Sequence, residues 1–99
     1  MASDHEIRTI LSESGVKIAE GEFRAGKPYG IQRTWSERGV LTLEAEMVSG
    51  NYHGIYKSWW SNGQPKETGT YHHGKRIGLY KWFTQSGELW SEESYGNDS

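Results

Sequence analysis

The chain has 99 residues, contains no cysteine and carries a formal net charge of −2. This length suits one domain with a modest core, and the lack of cysteine excludes disulfides and thiolate metal sites and favours a cytoplasmic location. No stretch approaches the ~20 apolar residues of a membrane span, and residues 1–14 lack the apolar run of a signal peptide. The negative charge argues against general nucleic-acid binding.

The sequence repeats itself with a period of 24 residues. Glycines, aromatic residues and basic residues return at this spacing, and such a period is typical of a repeat fold. The recurring structural positions are Gly26, Gly50 and Gly74; Gly30, Gly54 and Gly78; Trp35, Trp59 and Phe83; and Gly39, Gly63 and Gly87. A glutamate also recurs at positions 20, 44 and 92, with Thr68 as the exception.

The period predicts a single repeat domain over residues 1–99. Its predicted parts are a degenerate N-terminal half repeat at 1–20, full repeats at 21–44, 45–68 and 69–92, and the start of a further repeat with a tail at 93–99.

The first segment, residues 3–13, has two interpretations. Ser3-Asp4-His5-Glu6 resembles a helix capping box, and Ile7 and Leu11 follow at a spacing that suits a short helix. The same two apolar residues also fall in the repeat register. We therefore expect a degenerate first strand, with the capping helix as the alternative.

Each repeat is predicted to contain two strands and two turns. In the second repeat, Gly54–Trp60 alternates as a strand does, and Ser61-Asn62-Gly63-Gln64 is a hairpin turn, since Asn-Gly adopts positive φ readily. A second strand from about residue 65 to 71 is followed by a longer turn at His73–Gly78. The fold class is therefore all-β: a single-layer antiparallel meander of about seven or eight strands, open or curled into a barrel or horseshoe.

One face of this sheet, which we call the ladder face, keeps its character in every repeat. It carries Ile31, Arg33 and Trp35; Ile55, Lys57 and Trp59; and Leu79, Lys81 and Phe83. We expect Trp35 to oppose Val40 and Arg33 to oppose Thr42, which places Glu44 diagonal to Arg33. A structural ladder is favoured over a binding row.

The opposite face changes its residues along the chain, which favours a function other than folding. Exposed Trp and Tyr are typical interface anchors. The predicted partner-binding residues are Tyr56, Trp60, Tyr80, Trp82 and, at the edge of the patch, Trp90. The alternative is that a terminal segment or a second copy of the chain packs on this face. A homo-oligomer could form through this face or through the edge strands.

Neither catalysis nor a cofactor is expected. The chain has no Gly-x-Ser-x-Gly elbow, no phosphate-binding loop and no paired carboxylates in a cleft. Neighbouring turns could bring His53 near His72 and His73, but no Cys or Asp lies close by to complete a ligand set. We therefore expect exposed turn histidines and no metal site.

Residues 69–83, Gly-Thr-Tyr-His-His-Gly-Lys-Arg-Ile-Gly-Leu-Tyr-Lys-Trp-Phe, resemble the variant MORN repeat of bacterial YwqK-type antitoxin proteins. The resemblance covers roughly residues 15–96 and departs at Met47, Asn51 and Glu93-Ser94. It implies a β-hairpin repeat scaffold without catalysis that binds another protein, in many cases a toxin.

Three functions remain open. The first is a non-catalytic protein-binding module that inhibits or neutralises a toxin, an effector or a defence enzyme, as an antitoxin or an immunity protein does. The second is a structural scaffold that self-assembles through its end strands. The third is a small-ligand or nucleotide sponge with aromatic clefts between strands.

Overall fold

The computed structural model describes residues 5–96, which form eight strands in one antiparallel sheet, each strand paired with the next in the chain. The strands are β1 (His5–Leu11), β2 (Lys17–Arg24), β3 (Lys27–Trp35), β4 (Leu41–Val48), β5 (Asn51–Trp59), β6 (Pro65–His72), β7 (Lys75–Phe83) and β8 (Leu89–Tyr95). With extents of 46 × 41 × 14 Å the sheet is a single layer. The predicted meander is confirmed, and it stays open, with β1 and β8 as its edges.

The N-terminal segment forms a strand, as expected, because its backbone pairs with β2 from His5 to Leu11. Ser3 and Asp4, on which the helical alternative partly depended, lie outside the described residues. Nowhere in residues 5–96 is there a helix that is long and apolar enough to cross a membrane.

The turn inside each repeat joins an odd-numbered strand to the even-numbered strand that follows it. Next to this turn the even-numbered strand has one residue more than its partner. In the first, the Ser36 amide donates to the Val40 carbonyl at 2.8 Å and the Gly39 amide donates to the Ser36 carbonyl at 3.0 Å. The same bonds recur between Trp60, Gly63 and Gln64. Gly39 and Gly63 take φ values of 89° and 90°, which explains glycine at these positions.

The expected register of this hairpin is wrong. Arg33 lies directly opposite Glu44 rather than Thr42, and Trp35 lies opposite Leu41 rather than Val40. The register shifts between Thr34 and Trp35 because the even strand has one extra residue there, a β-bulge. Counting outward from the turn cannot detect such an insertion.

The turn between repeats is tighter than predicted. Ala25 and Gly26 take φ values of 51° and 81°, as in a two-residue type I′ turn, and His73 and Gly74 do the same at 51° and 83°. β7 therefore begins at Lys75, and the predicted longer turn at His73–Gly78 is wrong.

In each full repeat a second glycine, Gly30, Gly54 or Gly78, lies four residues after the turn glycine. It is inside a strand, at the point where the register with the preceding strand shifts. Gly30 has a φ of +106°, and a Cβ there would lie 2.7 Å from Oε1 of Glu22. The Glu22 carboxylate occupies that space and accepts a hydrogen bond from the Ile31 amide at 2.8 Å. That bond, followed by the one with His5, lowers the pKa of Glu22.

Candidate binding surface

The buried side of the sheet is the face opposite the ladder face, which we call the tyrosine face. It carries Tyr52, Tyr56, Tyr71, Tyr80 and Tyr95, whose rings contact one another. The most buried side chains of the described chain belong to it: Tyr80 is 0% exposed, Ala45 1% and Ser58 6%. The face whose residues change along the chain thus holds the sheet together, contrary to our expectation.

Large and small residues alternate across neighbouring strands of this face. Gly69 lies beneath the ring of Tyr80, where a Cβ would collide with the ring, and Ala45 lies directly opposite Tyr56. Because each large side chain needs a small one beside it, the face varies from repeat to repeat and is still packed. The signal in the sequence was the column of small residues at 21, 45 and 69.

A polar network fixes the tyrosines at the C-terminal end of this face. The Arg76 guanidinium lies 4.5 Å from the ring centre of Tyr80, and its Nε donates to the Tyr71 hydroxyl at 3.2 Å. The Tyr80 hydroxyl donates to the Glu67 carboxylate at 2.9 Å. Burial, followed by the nearby Glu67 charge, raises the pKa of Tyr56 to about 12, and burial also raises the pKa of Tyr80.

The predicted partner-binding residues do not form one exposed cluster. The prediction for Tyr80 is wrong, since its side chain is fully buried, and Tyr56 is half-buried against Tyr71. Nε1 of Trp60 donates a hydrogen bond to the Phe83 carbonyl at 3.2 Å. The ring centres of Trp82 and Tyr80 are 4.8 Å apart. Trp90 is 71% exposed on the edge strand β8. A role for the three tryptophans in binding stays a prediction.

A row of charged side chains crosses the ladder face at one level of the sheet. Each member lies opposite the next on the neighbouring strand: Glu20, Arg33, Glu44, Lys57, Thr68, Lys81 and Glu92. Acidic and basic residues alternate along the row except at Thr68, where an acid is replaced by a hydroxyl. Opposite charges on adjacent strands stabilise a sheet by about 0.2–1 kcal/mol a pair.

The two lysines beside Thr68 differ from the arginine of the row. Arg33 and Glu44 form an ion pair, with Nε and Oε2 2.7 Å apart. Lys57 lies opposite Glu44 in the sheet, but that carboxylate is engaged by Arg33. Among the side chains of residues 5–96, neither Lys57 nor Lys81 forms an ion pair.

Lys57, Thr68 and Lys81 line a shallow pocket of about 310 Å³. Its apolar sides are formed by Ile55 and Leu79, which are 60% and 51% exposed. We call these five residues the lysine–threonine site. Two ammonium groups around a hydroxyl suit a carboxylate or another small anion, and the aliphatic side chains suit apolar groups beside it. The Thr68 exception in the glutamate column marked this site in the sequence, but it was not interpreted as a site.

A second hollow, of about 600 Å³, lies among β1, β2 and β3. Arg8, Ile10, Phe23 and Gln32 are among the residues that line it. Of the described residues in this lining, Phe23 alone is aromatic. The hollow therefore differs from the aromatic clefts expected for a nucleotide sponge.

The histidines lie closer together than expected for separate turn residues. His53, His72 and His73 each place one ring nitrogen within 4.8 Å of the others. The expectation of exposed turn histidines is wrong for His53 and His72, which are half-buried in β5 and β6, whereas His73 is exposed in the turn. Among the described residues, these three side chains are close enough together to hold a metal ion.

A family model of the MORN repeat variant matches residues 52–73 and residues 76–97. Both segments are similar to this MORN repeat. Each match covers one hairpin with its inner turn, β5–β6 or β7–β8, and the two start 24 residues apart, as the sequence period requires. Together the matches cover a little under half of the chain. No curated protein and no solved structure matches the chain. Similarity to MORN repeats indicates a repeat-based binding or scaffold module.

Proposed function

We propose that this chain is a non-catalytic protein-binding module that recognises an acidic side chain of its partner at the lysine–threonine site. In this proposal it inhibits or neutralises that partner, as the resemblance to YwqK-type antitoxin proteins suggests. The partner is a protein such as a toxin, an effector or a defence enzyme.

The interrupted charge row carries this proposal. Arg33 has an acid of the same chain on each side, whereas Thr68 leaves one acidic position empty between Lys57 and Lys81. Two strand spacings separate these lysines, about 10 Å between backbones, so their long side chains can reach one carboxylate. A partner's Asp or Glu would complete the alternation.

The surroundings favour a protein over a nucleic acid. In the charge row, Glu44 lies next to Lys57 and Glu92 lies next to Lys81, so the two lysines have an acid on their outer sides. These carboxylates would repel a phosphate backbone that ran along the row. The apolar sides at Ile55 and Leu79 suit aliphatic or aromatic residues next to the acidic one. The partner's contact is therefore one acidic residue flanked by apolar residues.

Inhibition would follow from coverage rather than from chemistry. The sheet is 46 × 41 Å across, which is large enough to cover about 800 Å² of a partner, the area buried on each side of a typical stable interface. An acidic residue at or near a partner's active site would be covered in this way.

Substituting Thr68 by Glu tests the proposal. The new carboxylate would pair with Lys57 and Lys81 within the chain, so we expect the variant to fold normally and to lose most of its partner binding. Removing one partner of a charge pair that is buried in an interface typically costs about 2–5 kcal/mol. The measurement is capture of proteins from the native cell extract by tagged wild type and variant, with quantification by mass spectrometry.

Ser61→Glu is the matched control. It adds the same charge in the exposed turn of the same hairpin, so it should capture the partner as the wild type does. Equal capture by Thr68→Glu and the wild type would reject the lysine–threonine site. A captured protein that keeps its full activity when saturated with the chain would reject inhibition.

Self-assembly is the second candidate, and the edge strands favour it. Every residue of β1 is exposed, and Ile7, Ile10 and Leu11 remain 58–60% accessible. At the other edge Leu89 is 51% exposed. Exposed apolar edges are potential pairing sites for another copy. Recovery of untagged copies of the chain itself as the main captured protein would support this scaffold function.

A further inference from the structure

Three histidines meet at the turn between β6 and β7. His53 lies in β5, His72 is the last residue of β6, and His73 is the first residue of the type I′ turn. Their ring centres are 4.8 Å apart for His53 and His72, 5.0 Å for His53 and His73, and 4.2 Å for His72 and His73. His53 and His72 lie on the two paired strands of the β5–β6 hairpin, and His73 begins the turn to the next hairpin.

Backbone contacts of the repeat bring the three rings together. The Gly74 amide donates to the Tyr52 carbonyl at 2.8 Å, which places the β6–β7 turn against the start of β5. The preceding turn has the same contact, from the Gly50 amide to the Pro28 carbonyl at 3.0 Å. The close approach of the turn to the previous hairpin is therefore part of the scaffold and does not depend on the histidines.

The histidines themselves are not part of the repeat. At the equivalent positions of the preceding turn the chain has Tyr29, Val48 and Ser49. One turn alone combines three imidazoles, with His53 and His72 half-buried and His73 exposed. Because the β4–β5 turn forms without histidines at these three positions, the scaffold does not need the cluster for folding.

We propose that His53, His72 and His73 form a binding site for a divalent transition metal ion, Zn²⁺ in the first instance. One nitrogen of each ring lies within 4.8 Å of the others. Zn–N bonds of 2.0–2.1 Å in a tetrahedral site require nitrogens about 3.3 Å apart. Small side-chain rotations at a solvent-accessible turn are needed to close the difference.

The ligand set fits an open rather than a closed site. Three protein nitrogens leave a fourth position for water or another ligand, as in three-histidine zinc sites. Imidazole nitrogen also suits Cu²⁺ and Ni²⁺, with Cu²⁺ the tightest of the series. Metal binding would tie β5 to the β6–β7 turn, and thus the β5–β6 hairpin to its connection with the next hairpin.

One hydrogen bond reports on metal binding. The His73 amide donates to Nδ1 of His53 at 3.2 Å, so in the neutral His53 ring the proton is on Nε2. A metal on Nδ1 would displace this amide, and a metal on Nε2 would move the proton to Nδ1. Either way the His73 amide loses its acceptor, which a shift of its backbone NMR signal will show.

Calorimetric titration of untagged, chelator-treated protein with zinc chloride tests the site. We expect one zinc ion per chain, and weakening by about tenfold or more in each of His53→Gln, His72→Gln and His73→Gln. Binding should also weaken in acid, because protons compete for imidazole. His5→Gln, which changes a histidine of β1 outside the cluster, should bind zinc as the wild type does.

Two further readouts separate metal binding from damage to the fold. Zinc should raise the thermal unfolding midpoint of the wild type and not that of His53→Gln, and it should shift the His73 amide signal of the wild type. The proposal is overturned if the wild type binds no zinc, if the cluster variants bind it as tightly as the wild type, or if His5→Gln weakens binding equally. An unshifted His73 amide in zinc-saturated wild type would also overturn it.

Discussion

At the scale of single residues, packing rather than repetition decides which face is buried. The Tyr80 ring is fully buried over Gly69, which has no side chain, and Tyr56, which lies opposite Ala45 on one side and Gly69 on the other, is half-buried. A search for positions that keep their character finds the ladder residues and overlooks this pairing, because its large member changes from Gln32 to Tyr56 and Tyr80 while only the small member stays small. The sequence therefore located the aromatic residues without identifying their role.

The burial of tyrosines makes the stability of the fold depend on alkaline pH. The pKa of Tyr56 is raised to about 12 and that of Tyr80 is also raised, both chiefly by burial. An unfolded tyrosine ionises near pH 10, so between about pH 10 and 12 the folded state holds more protons. The free energy of unfolding should therefore be unaffected by these groups below pH 10 and should fall as the pH rises towards 12.

Urea unfolding at a series of pH values measures this dependence. Tyr56→Phe, which cannot ionise, should lose less stability than the wild type over the same range. Absorbance at 295 nm should show that part of the six tyrosines stays protonated above pH 10 in the folded protein. Ionisation of all tyrosines at pH 10 without unfolding would contradict the burial described here.

At the scale of elements, the chain repeats two kinds of turn, and its first two full repeats share a contact between a glycine and a glutamate side chain. The turn at Gly63 was predictable, since Asn-Gly between alternating strands leaves few alternatives. The role of Gly30 was not predictable, because a glycine of positive φ suits a turn as well as a strand bulge. Only the position of the Glu22 carboxylate over Gly30 distinguishes the two.

Alanine substitutions at two equivalent glycines test this contact. Gly78 has a φ of +65°, and a Cβ added there would meet nothing within 4 Å, so Gly78→Ala should cost about 1–2 kcal/mol for the left-handed conformation. Gly30→Ala should cost about 1–3 kcal/mol more. Its Cβ would displace the Glu22 carboxylate from the Ile31 amide, as well as strain the backbone.

The free energies of unfolding of both variants, from urea denaturation, give the comparison directly. Gly78→Ala is the comparison without the carboxylate, since Thr70 replaces the glutamate in that repeat, and the φ of Gly78, +65°, is easier for alanine to adopt than the +106° of Gly30. A loss in Gly78→Ala that equals or exceeds the loss in Gly30→Ala would show that the glutamate contact does not matter.

At the scale of the whole molecule, the open sheet divides two tasks between its faces. The tyrosine face holds the hairpins together, and the ladder face presents a charge row that crosses the sheet from β2 to β8. The period predicted the fold class because it fixed the strand order. It also placed the basic residues and the glutamates on one face, but it could not show that they lie directly opposite one another, since bulges set which side chains meet across strands.

Lys57 and Lys81 are the residues that we assign to a carboxylate of the partner, and the proposed function depends on them most. Carbodiimide cross-linking joins an amine to a carboxylate only when the two are in contact, and mass spectrometry of the captured complex locates the joined residues. We expect a cross-link from Lys57 or Lys81 to an Asp or Glu of the partner, and its loss in Thr68→Glu. A stable complex in which neither lysine is joined to the partner, while lysines elsewhere are, would contradict this assignment.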